Sequence, residues 1–191
     1  TDDSDNNDIF GNYVGVNAAG DTDLGNGVYG IYVDTSSEGN EIGSGVSGTG
    51  NVISGNDDAG IIGSGDNTTV KGNYIGTNAA GTAAIGNTTD GVSLGGDGWI
   101  IGGTATNDKN VISGNGESGM RLNSASDATI EGNYIGTNAA GTADLGNTDS
   151  GVSLFGTSDS NVIGGSTSAS RNVISGNGQH GVFLFNVGST G

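Results

Sequence analysis

The chain has 191 residues, 41 glycines, no proline, no cysteine and a formal net charge of −17. Without cysteine there is no disulfide framework or thiolate metal site. Four scattered cations cannot form the basic patch that nucleic acid needs, and no run approaches the ~18 apolar residues of a membrane span. With 31% hydrophobic residues the composition would equally suit a disordered chain, so a fold requires that those few residues be patterned.

They are patterned, and the pattern is an internal repeat. In chain order, Gly11–Gly20 reads G-N-Y-V-G-V-N-A-A-G, and Asn51 opens N-V-I-S-G-N. Gly72–Gly81 reads G-N-Y-I-G-T-N-A-A-G, Asn110 repeats N-V-I-S-G-N, Gly132–Gly141 repeats G-N-Y-I-G-T-N-A-A-G, and Asn172 opens the last N-V-I-S-G-N. A second unit, glycine followed by an apolar residue, opens at Gly27, Gly60, Gly91, Gly119, Gly151 and Gly181 and interleaves with the first. The Asn markers at 12, 51, 73, 110, 133 and 172 are separated by 39, 22, 37, 23 and 39 residues. Twenty-two residues suit one turn of a β-solenoid with three short strands and tight corners. The expected architecture is therefore all-β: a solenoid of about six parallel coils, short (~22) alternating with long (~38). It makes a single domain over 1–191, with three repeats at about 10–70, 71–130 and 131–191.

Stacking is what lets so few apolar residues suffice, because equivalent positions lie ~4.8 Å apart and fill one narrow core. The expected inward columns are Val14, Ile53, Ile75, Ile112, Ile135 and Ile174, then Val28, Ile61, Val92, Met120, Val152 and Val182, then Leu94, Leu122, Leu154 and Leu184. Tyr29, Ile62, Ser93, Arg121, Ser153 and Phe183 are expected to point outward. Two corners should carry hydrogen-bonded carboxamide ladders. One runs through the six Asn markers and the other through Asn17, Asn56, Asn78, Asn115, Asn138 and Asn177. Tyr13, Tyr74 and Tyr134 occur only in units that carry the A-A-G insertion, so the insertion should fold over those rings, anchored by Leu24, Ile85 and Leu145.

The alternation GNYIGTNAAGTADLGN…GVSL…RNVISGN resembles the repeats of secreted bacterial right-handed parallel β-helix proteins, of the pectin-lyase-like fold group. The resemblance covers Phe10 to Leu184 and implies a right-handed coil and an extracellular or cell-surface location. It leaves function open, because that fold hosts lyases, hydrolases, adhesins and fibres. Hydrolases of the group resemble one another in an Asp-Asp pair near a G-H-G element. Asp57-Asp58 and His180-Gly181 are the partial matches, four coils and roughly 19 Å apart, beyond the ~10 Å that glycosidase carboxylates require. Arg121 has only Ser93 and Ser153 beside it in its column. No catalytic set assembles, so the expectation is a non-catalytic structural rod, a segment of a fibre, adhesin or surface layer. Its partners are copies of itself end to end or further repeats of a longer parent chain. The alternative is a carbohydrate-binding or polysaccharide-cleaving protein with glycan partners. No cofactor is expected; Ca²⁺ is the one candidate, through the carboxylates of Asp58, Asp90, Glu117 and Asp149 at the corner before the G-V-x-L strand, with the run Asp2, Asp3, Asp5 and Asp8 as a second cluster.

Overall fold

A computed structural model describes residues 4–185; Asp2 and Asp3 of the amino-terminal acidic run lie outside them. Six coils carry three strands each. They are β1 (Asp8–Ile9), β2 (Tyr13–Val14) and β3 (Ile31–Val33); β4 (Glu41–Ile42), β5 (Val52–Ile53) and β6 (Ile61–Gly63); β7 (Thr69–Val70), β8 (Tyr74–Ile75) and β9 (Val92–Leu94). Then follow β10 (Ile100–Gly102), β11 (Val111–Ile112) and β12 (Met120–Asn123); β13 (Thr129–Glu131), β14 (Tyr134–Ile135) and β15 (Val152–Phe155); β16 (Val162–Ile163), β17 (Val173–Ile174) and β18 (Val182–Phe185). Every third strand joins the same sheet, and all pairings are parallel. The chain is a parallel β-solenoid of six coils and three six-stranded sheets.

Inward residues of the three sheets form one core. The second sheet stacks Val14, Ile53, Ile75, Ile112, Ile135 and Ile174, as the repeat requires. The first sheet adds a column that repeat spacing alone does not single out: Ile9, Ile42, Val70, Ile101, Ile130 and Ile163. The third sheet stacks Ile61, Val92, Met120, Val152 and Val182, but Ile31 heads the column. Val28 is 52% exposed in the preceding turn, so the expected register was three residues early in the first coil, and Tyr32 rather than Tyr29 faces outward. The column of Leu94, Leu122, Leu154 and Leu184 is headed by Val33 and Gly63. Gly63 leaves room for Trp99: a Cβ there would stand 2.7 Å from the indole ring. Trp99 is fully buried and donates its Nε1–H to the Gly65 carbonyl at 2.7 Å.

Both carboxamide ladders form. Asn12 donates to Asn51, Asn51 to Asn73, Asn73 to Asn110, Asn110 to Asn133 and Asn133 to Asn172, across 39, 22, 37, 23 and 39 residues. The second ladder runs Asn26, Asn56, Asn87, Asn115, Asn147 and Asn177, with even steps of 30, 31, 28, 32 and 30. This corrects two expectations. The alternation of short and long intervals belongs to one edge of the coil, because two different loops lengthen the same interval there. Asn17, Asn78 and Asn138 leave the second ladder. Their Oδ1 atoms accept the backbone N–H of Asp21, Thr82 and Thr142 and cap the A-A-G loops.

Those loops turn back as short hairpins, with bridges Val16–Asp23, Thr77–Ala84 and Thr137–Asp144. They fold over the tyrosines through glycine: a Cβ at Gly20, Gly81 or Gly141 would lie 3.0, 2.6 or 2.9 Å from the ring of Tyr13, Tyr74 or Tyr134. The expected aliphatic anchor fails at Leu24, which is 67% exposed. Ser54 and Ser113, from the N-V-I-S-G-N units, pin the start of the next loop. Each Oγ donates to the Thr77 or Thr137 carbonyl and accepts the Gly76 or Gly136 N–H. Gly76 and Gly136 have φ of 83° and 90°, in a region that glycine tolerates best.

Candidate functional site

Two surfaces carry chemistry. The first is the outer face of the third sheet. Arg121, on β12, lies between two carboxylates. Its Nη2 donates to Glu117 Oε2 at 2.6 Å, and its Nε stands 2.8 Å from Asp90 Oδ2. The Nε–H is not aligned on a hydrogen-bond acceptor, so the Asp90 contact is an ion pair rather than a directed bond. Asp90 precedes the strand one coil below; it is 4% exposed, and its Oδ1 accepts the Ser118 N–H at 3.0 Å. Burial pushes its carboxyl up to about 6, against the pull of Arg121, with Glu117 and Asp149 adding to the rise. Beside the ion cluster is an aromatic one. The Arg121 guanidinium sits 5.4 Å from the Phe155 ring centre, Phe155 packs edge-on against Phe183 and Phe185, and His180 stacks on Phe183 at 5.0 Å.

Ser93 and Ser153 flank Arg121 in its column, as expected, and both carboxylates reach it from outside that column. Reading along its own column misses Asp90, which is a diagonal neighbour one coil away, and Glu117, which reaches Arg121 around the corner at i, i+4. The lone cation in a column of serines was the signal. Ser153 is also not the exposed position its outward register implies: it is 1% exposed, with its Oγ 3.0 Å from Ser118 Oγ.

The four carboxylates proposed for Ca²⁺ do not share one column. The turn stacks Val28, Asp58, Thr89, Glu117 and Asp149 in order, so Thr89 separates Asp58 from Glu117 and donates its hydroxyl to Asp58 at 2.7 Å. Asp90 lies one place further along and is taken by Arg121. Among the described residues no three acidic or histidine side chains converge as a metal site. Asp58 and His180 sit in the second and sixth coils, the four-coil separation expected for the partial hydrolase match. Asp90 and Glu117 together hold Arg121.

The second surface is a groove of about 530 Å³ along the outer face of the second sheet. Tyr13 and Tyr74 alternate with Val52 and Val111 on its floor, and the A-A-G loops form one wall through Ala79 and Ala139. The opposite wall comes from Val46, Ser47, Gly48 and Gly50 and from Thr106, Asn107 and Lys109. Val52 and Val111 are each 3% exposed although they face outward, because rings and loops from the flanking coils close over them. Lys109 Nζ lies 3.7 Å from the Tyr134 ring centre. No acidic residue lines the groove, although the chain has 21 Asp and Glu.

No protein-family model and no curated protein matches the sequence. Solved structures do: the chain is similar to crystal structures of the periplasmic alginate epimerase AlgG and two of its mutants, at 14% or 15% identity and a TM-score of 0.45. The aligned region takes in 95% or 96% of this chain and 39% of AlgG, so the chain spans well under half the length of these neighbours. Among the described residues no helix is long and apolar enough to cross a membrane.

Proposed function

We propose that the chain is a non-catalytic segment of an extracellular or cell-surface solenoid, as in a fibre, adhesin or surface layer, and that copies stack end to end. The polarity of the ladders carries this reading. Every rung donates toward the carboxy-terminal coil, so the Oδ1 atoms of Asn12 and Asn26 accept no hydrogen bond among the described residues. The backbone N–H groups of Asn172 and Asn177 likewise donate to no acceptor among the described residues. Acceptors at one end thus match donors at the other. The sixth coil lacks the A-A-G loop and the first carries it, so stacking sixth on first continues the alternation. Such head-to-tail contacts are heterologous and grow open filaments. Further coils of a longer parent chain would use the same faces in the same phase. Sedimentation over a wide concentration range tests the self-stacking form: elongated oligomers support it, and monomers at high concentration overturn it.

The acid-free tyrosine groove favours a second reading, a glycan-binding surface. Pyranose faces stack on exposed aromatic rings, and an anionic molecule that keeps one groove clear of carboxylates leaves it open to neutral and acidic chains. Incubation with neutral glycans and polyuronates, with binding and product analysis, tests it. Retardation lost in Tyr74→Ala and Lys109→Ala supports binding, and products lost in Arg121→Ala would instead establish catalysis.

A further inference from the structure

The groove on the second sheet repeats every two coils on its floor and on both walls. Its floor alternates Tyr13, Val52, Tyr74 and Val111. On one wall the A-A-G loops skip a coil and bond to one another: the Ala79 N–H donates to the Gly20 carbonyl and the Ala139 N–H to the Gly81 carbonyl, each at 2.8 Å. On the other wall the loops of the second and fourth coils meet, since a Cβ at Gly45 would stand 2.1 Å from Asp108 Oδ1. Two coils span ~9.6 Å, so a polymer that makes equivalent contacts along this groove has that repeat. Val52, Tyr74, Ala79, Lys109, Val111 and Ala139 belong to the second to fifth coils. This part of the groove stays open whatever coil is stacked on or continues from either end.

We propose that this groove docks a polyproline II segment of a partner polypeptide, laid along the solenoid axis with a proline against Tyr74. Such a helix has three residues per turn and rises about 3.1 Å per residue, so one turn is about 9.3 Å, within ~0.3 Å of the two-coil repeat. It suits an aromatic-lined groove because it is ordered before it binds and loses little entropy on docking. Hydrogen bonding favours it over the glycan considered above for the same groove. A proline-rich segment offers free carbonyl acceptors and few N–H donors, whereas sugar hydroxyls need donors and acceptors alike. On the walls the exposed Ser47, Thr106 and Asn107 can donate, the Lys109 ammonium can only donate, and no carboxylate offers a strong acceptor. The chain has no proline, so the docked segment belongs to a different protein.

Fluorescence anisotropy of labelled decaproline with the full chain tests this, with a labelled Gly-Ser decamer and a linear β-1,4-linked oligosaccharide as comparison probes. Decaproline should bind saturably and at least roughly tenfold tighter than the Gly-Ser decamer, which has to be ordered on binding. Tyr74→Ala should weaken it at least roughly fivefold, and Tyr74→Phe, which keeps the ring, should bind as the parent does. Asn107→Asp, an exposed change that adds a charged acceptor, should also weaken decaproline, whereas it would strengthen a hydroxyl-rich ligand. If Tyr74→Ala lowers the melting curve, Asn107→Asp decides alone. No saturable decaproline binding, equal binding of the Gly-Ser decamer, or oligosaccharide binding that Tyr74→Ala abolishes while decaproline is not bound, would overturn the inference.

Discussion

Asp90 shows how one buried group sets a pH response. Folding raises its carboxyl from an ordinary 3.8 to about 6, so folding favours the protonated form. Its contribution is complete below about pH 4 and is lost as pH rises through about 6. At 1.36 kcal/mol per unit, a shift of roughly two units amounts to about 3 kcal/mol. Asp90→Asn keeps an acceptor for the Ser118 N–H and removes the titration. The difference in unfolding free energy between variant and parent should move in the variant's favour by up to about 3 kcal/mol from about pH 4 to 7. A difference that stays flat in denaturant titrations would contradict the burial of this carboxyl. A second residue-scale prediction concerns Trp99 and Gly63, which share one space. Trp99→Ala should cost about 3–5 kcal/mol and Gly63→Leu should overpack the core. The double variant should be better than the sum by at least about 1 kcal/mol in a thermal or denaturant cycle.

At the scale of elements, the two ladders predict different costs for two similar asparagines. Asn87 is 1% exposed; it accepts from the Asn56 side chain and donates to Asn115 and to the Ile53 carbonyl. Asn87→Ala should cost about 2–4 kcal/mol, because it strands several buried partners. Asn78 caps a surface loop through the Thr82 N–H, and Asn78→Ala should cost about 1 kcal/mol or less in the same denaturant series. This pair also marks where sequence reading went astray. Counting five residues on from each first-ladder Asn lands on Asn78, inside the insertion. The corner instead needs a Gly-Asn pair before each third-sheet strand: Gly25-Asn26, Gly55-Asn56, Gly86-Asn87, Gly114-Asn115, Gly146-Asn147 and Gly176-Asn177. Coil backbones approach closely here, and a Cβ at Gly86 would stand 2.1 Å from the Gly114 carbonyl oxygen. The repeat shows that Gly-Asn recurs; the close approach of the stacked backbones explains why it must follow the loop. The second-sheet column, and the third-sheet columns beyond the first coil, were legible because the same short units recur in the same order and stack on one another; the first-sheet column was not, because no recurring unit marks it. The Asp90–Arg121–Glu117 cluster was not, because diagonal and around-the-corner contacts depend on the turn's path rather than on the repeat.

At the scale of the molecule, each coil meets only its neighbours, so stability should be a sum of similar coil and interface terms. Ile112 is fully buried in the fourth coil and its partners are Ile75 and Ile135. Ile112→Asp should cost several kcal/mol, since an unpaired carboxylate in that stack has no counterion; a thermal melt within a few degrees of the parent would show the core wrongly placed. The same one-dimensional logic drives the proposed assembly. The exposure of Val182 and Leu184, at 43% and 71%, on inward columns of the sixth coil would be removed by another coil set on it in phase.

Electron microscopy of concentrated protein, with measurement of the axial repeat, tests that assembly most directly. Six coils at ~4.8 Å each predict filaments that repeat every ~29 Å, one copy per repeat and with no break in coil spacing. Particles that stay single at every concentration, or filaments whose axial repeat does not match six coils, would contradict it.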